Sequence, residues 1–295
     1  MIKHLVISGG SIGGFNLYGA IKLLSQKNIW NINNIKSMYT TSVGSYIGVI
    51  LSLSYDWESL DDYLIMRPWD NVFKFNPDQI INFLTNKGFL DENITKLILE
   101  PLLVAKDLSI NITMLELYNY NHIEIHIYTC NLNSRLPKLE DISYKTYPNL
   151  SVYKAMAMSS AIPILFPPVC DGSGCYIDGA LFNNFPLNSC INDNCNEEEI
   201  LAFKLTFLDT RLNIYSNSNI YDYLFNLIEG FRRLIASDDK QEHIENIIEC
   251  KINNDFSNWK DVLLCQKTRG DMINKGMEVG EQFYESFIER NQEIG

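Results

Sequence analysis

Basic charge is in short supply in this chain. Twenty-four Lys and Arg stand against thirty-six Asp and Glu, a formal net charge of −12 over 295 residues. A nucleic-acid partner needs a basic face to neutralise phosphates, so this balance argues against one. It also disfavours strong attraction to an anionic membrane, while leaving contact with a neutral lipid surface open. Long apolar runs are missing as well. No stretch approaches about 18 consecutive apolar residues, so no transmembrane helix is expected. The opening "MIKHLVISGG" passes straight into a Gly-rich turn without the pattern of a secretory leader. The expected location is cytoplasmic, with at most peripheral contact to membranes. On that reading the glycosylation-type triplets at Asn93, Asn111 and Asn149 carry little meaning.

Metal-binding patterns are thin. The seven Cys are an odd number in a chain without an export signal, which fits free thiols in a reducing compartment. Cys170, Cys175, Cys190 and Cys195 form two Cys-x4-Cys pairs at the loose edge of zinc spacing. They are read as buried or loop thiols, with no metal expected. His122 and His126 lie four apart, but in an alternating run that reads as a strand. They are expected to be surface or edge-strand histidines.

What is present is ordinary globular material: 46% hydrophobic and 20% charged residues, enough for a full core. Short apolar runs alternate with helical periodicity. "HLVIS" (4–8), "NIKSMY" (34–39), "HIEIHIYTCNL" (122–132) and "LAFKLTFL" (201–208) read as strands. Residues 15–26, 43–54, 57–65, 77–90, 113–120 and 151–160 read as helices, and the chain after 210 as mainly helical. This pattern predicts an α/β layer fold with a largely parallel sheet. Without repeats or low-complexity linkers, residues 1–295 are read as one domain.

Three segments carry chemistry. "SGGSIGG" (8–14) joins a strand to a helix. Its Gly spacing fails the dinucleotide fingerprint at Ser11, and no Gly-Lys-Ser/Thr follows for a P-loop. Its backbone N–H groups could instead form an oxyanion hole. "TTSVG" (40–44) sets Ser42 between a strand and a helix with Gly44 two residues later. That is the layout of a nucleophile elbow, and equally of a serine capping a helix. "YIDGALFNNFPL" (176–187) places Asp178-Gly179 at a strand end. Such an Asp is commonly structural, and gains interest only where a Ser needs a base.

Taken in order, these three segments, with "SSAIPILFPPV" (159–169) ahead of the third, resemble the patatin-like phospholipases, a family of lipid acyl hydrolases. The similarity covers about residues 4–190. The resemblance implies a three-layer fold with a mostly parallel central sheet flanked by helices. It implies a Ser42–Asp178 dyad without His or metal cofactor, acting on a lipid, typically a phospholipid at a membrane surface. It also implies an oxyanion hole from the N–H groups of Gly9, Gly10 and Ser11, with Thr40, Gly44 and Gly179 shaping the elbow and the Asp turn.

Departures from the family pattern are specific. Ser11 stands where a third Gly is usual, Gly13 where a basic residue is usual, and Thr40 where the elbow has Gly. A β-branched residue at Thr40 is expected to crowd the turn. Two functions therefore follow: a lipid acyl hydrolase, slowed by these changes, or a non-hydrolytic patatin-fold module that binds lipid or protein.

Overall fold

In the computed structural model the strand–helix alternation becomes a layered α/β fold. The structure describes residues 1–73, 85–90, 93–172, 174–208, 213–218, 220–238, 242–253 and 258–293. β1 (His4–Ile7) runs through a 3-10 turn (Ser11–Gly13) into α1 (Gly14–Gln26), and β2 (Ser37–Thr41) feeds α2 (Val43–Ser52). α3 (Trp57–Asp61) continues into a π-helical turn (Asp62–Met66). Then come α4 (Ile94–Val104), α5 (Met114–Asn121), β3 (Glu124–Asn131), β4 (Lys138–Ile142) and α6 (Val152–Ser159). The hairpin β5 (Val169–Cys170) and β6 (Cys175–Asp178) leads to α7 (Leu187–Asn192), β7 (Ile200–Leu208) and α8 (Ile220–Asp238). β8 (Ile247–Asn253), α9 (Asn258–Leu264) and α10 (Gln266–Glu293) complete the chain. Most of the helix expected over 77–90 lies outside the described residues.

The sheet order is β5-β6-β3-β2-β1-β7-β8, with β4 paired to β3. Strands β3, β2, β1, β7 and β8 are mutually parallel, whereas β4, β5 and β6 are antiparallel additions. The sheet is thus mixed and mostly parallel, as expected. Helices on the faces explain why β2 is buried at all five positions: a covered parallel strand has no solvent face on which to alternate.

Register positions the site. β2 pairs with β3 up to Thr41 opposite Tyr128. β6 pairs antiparallel with β3 and ends with Asp178 opposite Thr129. β4 overlaps both segments of β3, so β2 and β6 share the other edge. The two strands meet there end to end, and the residues at their tips face each other across consecutive positions of β3.

The C-terminal part is mainly helical, as expected, and adds one strand that the sequence reading did not name, since β8 extends the parallel sheet beside β7. It is also built into the core. α10 packs on α1 so closely that a Cβ at Gly276 would stand 1.9 Å from the Asn16 carbonyl oxygen. Arg269 of α10, 1% exposed, is the largest fully buried side chain among the described residues. Its guanidinium donates to the carbonyls of Ile65 (3.0 and 2.5 Å) and Arg67 (3.2 Å) at the end of the π turn. It also donates to those of Val262 and Leu263 at the end of α9 (2.8 and 2.9 Å). Helix ends leave carbonyls without helical partners, and Arg269 satisfies them from one side chain.

Candidate active site at the tip of β2

Ser42 is the turn residue between β2 and α2. Its backbone sits at φ 53°, ψ −126°, a region that costs a non-glycine residue strain. That strain is characteristic of a nucleophile elbow, where strand and helix fold back tightly on one another. Gly44 permits the fold-back: a Cβ there would stand 2.4 Å from the Ile7 carbonyl oxygen of β1. The Ser42 N–H donates to Ser159 Oγ (2.8 Å), whose hydroxyl donates to the Tyr128 carbonyl (2.6 Å). Ser159, at the end of α6, therefore pins the elbow to β3. It lies in the 159–169 segment of the resemblance, but nothing in that segment alone marks its partner.

Ser42 Oγ donates to Asp178 Oδ2 at 2.7 Å. The other Asp178 oxygen accepts from the Ala180 N–H (2.8 Å), closing the Asp-Gly turn. Both side chains are buried, and no cation pairs with the carboxylate in these contacts. Burial pushes the Asp178 carboxyl up from 3.8 to about 7, against the opposing pull of the bonds from Ser42 and Ala180.

Thr40 does not crowd the elbow as its shape suggests. Its hydroxyl donates to the His126 carbonyl (2.8 Å). Its methyl lies toward Gly48, one turn into α2, where a Cβ would stand only 2.8 Å away. The volume added at Thr40 is taken from Gly48.

The Gly-rich loop wraps the same point. The Gly9 N–H donates to the Asn184 carbonyl (3.0 Å), which corrects the expectation that it is available to a ligand. Gly10 and Ser11 open the 3-10 turn, so their N–H groups have no acceptor within it. Ser11 is at φ 56°, and its buried Oγ has no hydrogen-bond partner among the described residues. Asn183 and Asn184 stitch the segments together: the Thr41 hydroxyl donates to the Asn183 carbonyl (3.0 Å). Their position after the Asp turn was visible in the sequence, but not this bridging.

The Patatin-like phospholipase family model matches residues 5–191. The chain belongs to the patatin-like phospholipase family. It is 30% identical over 251 residues to "Probable lipid hydrolase 463L" of Invertebrate iridescent virus 6, covering 81% of this chain and 83% of that one. It is 28% identical over 280 residues to "Uncharacterized protein R571" of Acanthamoeba polyphaga mimivirus, covering 88% and 86%. Its patatin fold resembles that of VipD from Legionella pneumophila, with a TM-score of 0.56 at 18% identity over 97% of this chain and 67% of VipD. The type III effector ExoU matches with a TM-score of 0.50 at 14% identity, over 96% of this chain but 53% of ExoU.

In this family member Ser42 borders an apolar cavity of about 170 Å³. Ser11 and Ser42 stand at its lining, with Tyr46, Ile47 and Ile50 from α2. Trp69, Phe73 and Trp259 add an aromatic wall, with ring centroids 6.3 Å apart for Trp69–Phe73 and 6.1 Å for Phe73–Trp259. Much of that wall comes from outside the matched motifs.

The remaining candidates separate from this site. His126 is not a surface or edge-strand histidine. β3 lies between β2 and β4, and the ring is buried, stacked on Tyr39 at 4.3 Å. His122 is not in the strand at all, but ends α5 in a left-handed conformation. Cys170 and Cys175 face each other across the β5–β6 hairpin and are disulfide-bonded, so the free-thiol expectation is corrected for that pair. Cys190 and Cys195 are free. Among the described residues no group of three or more His, Cys, Asp or Glu could hold a metal ion, and no helix is long and apolar enough to cross a membrane.

Proposed function

We propose that this chain is a lipid acyl hydrolase of the phospholipase A type, cleaving carboxylic esters through an acyl-enzyme on Ser42. The observation that carries this reading is the buried 2.7 Å hydrogen bond from Ser42 Oγ to Asp178 Oδ2 at a strained turn. Family membership and the relative named a probable lipid hydrolase support the lipid class, and the apolar cavity beside Ser42 suits an acyl chain.

In this mechanism Asp178 accepts the Ser42 proton as Oγ attacks the ester carbonyl. A carboxylate near its usual pKa is a poor base for a hydroxyl, and burial improves it by raising its proton affinity. The N–H groups of Gly10 and Ser11 are the proposed donors to the oxyanion, and the Ser11 hydroxyl adds a third. Collapse of the tetrahedral intermediate breaks the ester C–O bond, and Asp178 returns the proton to the departing lyso-lipid alcohol. Asp178 then takes a proton from water as the water oxygen attacks the acyl-enzyme carbonyl, and returns it to Ser42 Oγ as the acyl–Oγ bond breaks, releasing the fatty acid and free Ser42. The Ser11 hydroxyl would partly replace the donor lost at Gly9.

The alternative, a non-hydrolytic lipid- or protein-binding member, draws on the engaged Gly9 N–H. Fatty-acid release from phosphatidylcholine in detergent mixed micelles separates the two. The hydrolase reading expects turnover by the wild type and a loss of about 10³-fold or more in Ser42→Ala. Equal release by the two proteins would exclude Ser42, and no release by folded wild type would favour the binding module.

A further inference from the structure

The turn that ends α7 brings two thiols into contact. The Asn194 N–H donates to the Ile191 carbonyl (2.9 Å) and the Cys195 N–H to the Cys190 carbonyl (3.4 Å). Asn194 is left-handed, at φ 61°. These three features make a Schellman ending, which sets the two side chains five positions apart against each other. That contact is ordinarily between apolar residues; here both are cysteines. Cys190 and Cys195 are free, hydrogen-bonded to each other and packed in one cluster with Tyr39 and Tyr128. Cys170 and Cys175, at the same sequence spacing, are disulfide-bonded.

The surroundings of the two thiols differ. Cys190 is fully buried, and burial, with Cys195 beside it, pushes its thiol well above the usual range, so it keeps its proton. Cys195 is half-buried and meets a base. His4 Nδ1 lies 3.5 Å from Cys195 Sγ and 2.7 Å from Ser37 Oγ. Burial lowers the His4 pKa from 6.5, against the pull of Glu199, so the ring is neutral near pH 7 and its unprotonated nitrogen can accept the thiol proton. The Tyr39 hydroxyl donates to Asp193 Oδ2 (2.9 Å), and its oxygen faces Cys195 Sγ at 3.7 Å. An accessible thiol beside a base suits attack, and a protonated thiol in contact with it suits resolution of the product. The cluster is remote from Ser42: His4 and Ser37 begin β1 and β2, whereas Ser42 follows the far end of β2.

We propose that Cys190 and Cys195 are a redox-active dithiol that closes to a disulfide when it meets a peroxide, with Cys195 attacking, His4 as its base and Cys190 resolving. His4 takes the Cys195 proton, and the thiolate sulfur attacks one peroxide oxygen. The O–O bond breaks, and the departing hydroxide takes the proton from His4 and leaves as water. Cys195 is now a sulfenic acid. The Cys190 sulfur attacks the Cys195 sulfur, the S–O bond breaks, and the hydroxyl leaves with the Cys190 proton as a second water. The two thiols lose two electrons and hydrogen peroxide gains them. The proposal does not rest on the hydrolase reading.

The test is hydrogen peroxide treatment of the reduced full chain, followed by alkylation of the remaining thiols and peptide mapping. Chymotryptic cleavage after Phe182 separates this pair from Cys170 and Cys175. Exposed Cys265 reports that peroxide reached the protein. In wild type the pair is expected to lose two hydrogens and both alkylations, and to regain both after dithiothreitol. Cys190→Ser should stop at a sulfenic acid on Cys195 that dimedone captures, and Cys195→Ser should leave Cys190 reduced. His4→Gln should slow the bridge by about tenfold or more. Full alkylation of Cys190 and Cys195 at a dose that oxidises Cys265 would overturn the proposal, as would dimedone capture at Cys190 instead of Cys195. An unchanged rate in His4→Gln would overturn the assignment of the base. If Cys190→Ser fails to fold, dimedone trapping at Cys195 during the wild-type reaction decides.

Discussion

Two ionisable clusters, each centred on a buried group, lie against β3, and they solve the same problem in opposite ways. Around His126 every charge has a partner: Nδ1 meets Asp141 at 2.8 Å, Nε2 meets Glu124 at 3.4 Å, and Lys145 closes on Glu124. Burial works against the charged ring, but the two carboxylates prevail and hold it protonated to about 9. On the other side, the Asp178 carboxylate has hydrogen bonds from Ser42 and Ala180 and no cation among those partners, so burial prevails and its pKa rises to about 7. Paired charges make a rigid structural brace. A lone buried carboxylate is unstable as an anion, and such a group has proton affinity to spend on chemistry.

The sharpest way to break this contrast is to remove the lone charge. Asp178→Asn should abolish ester hydrolysis, by about 10³-fold or more, and yet raise the melting temperature at pH 8. The wild-type carboxyl holds its proton to about 7 when folded and to 3.8 when unfolded. Its ionisation cost is absent below 3.8, grows as pH rises, and is full above about 7. The stabilisation by Asn, on the order of a few kcal/mol, should shrink as pH falls through that window. An unchanged melting temperature at pH 8 would mean that the carboxylate is well solvated. Wild-type turnover in this variant would point to another base.

His126→Gln should give the opposite pattern, with turnover within about threefold of wild type and a lower melting temperature. His126 keeps its proton to about 9 folded and 6.5 unfolded. Its contribution is full below 6.5 and is lost as pH rises through 9. The gap between this variant and wild type should therefore narrow between those values in thermal melts. A large turnover loss at unchanged stability would assign His126 to the chemistry. Smaller effects sharpen the elbow. Gly48→Ala should cost about 1–3 kcal/mol by overpacking against the Thr40 methyl. Adding Thr40→Ala should recover part of it, and strict additivity in a double-mutant cycle would show that the two residues do not share that space.

The motif positions were legible because they are local: each is a short strand, a tight turn and a helix start. Ser42, Asp178 and the sheet class could be read without a structure. Long-range compensation could not. Thr40 looked costly in isolation, and only the packing of α2 on β2 shows Gly48 giving way. Gly13 looked like a lost basic residue, but a Cβ there would stand 2.4 Å from Leu205 Cδ1 and 2.7 Å from Ile252 Cδ1. β7 and β8 fill the place where a longer side chain would start, so restoring Arg is expected to destabilise the loop. β4 and β8 were missed because "KLEDI" and "IIECKIN" carry the charges with which outer strands deter further pairing, and those charges hide the strand period. His126 was misplaced because alternation alone does not say whether a strand is central.

The most direct measurement is intact mass after fluorophosphonate treatment of wild type and Ser42→Ala in parallel. Such a probe needs an activated serine and working oxyanion donors, but no knowledge of the lipid. The expected result is one adduct on wild type, forming faster as pH rises through about 7 with Asp178 ionisation, and none on the variant. No adduct on folded wild type, or an equal adduct on Ser42→Ala, would contradict a Ser42–Asp178 dyad.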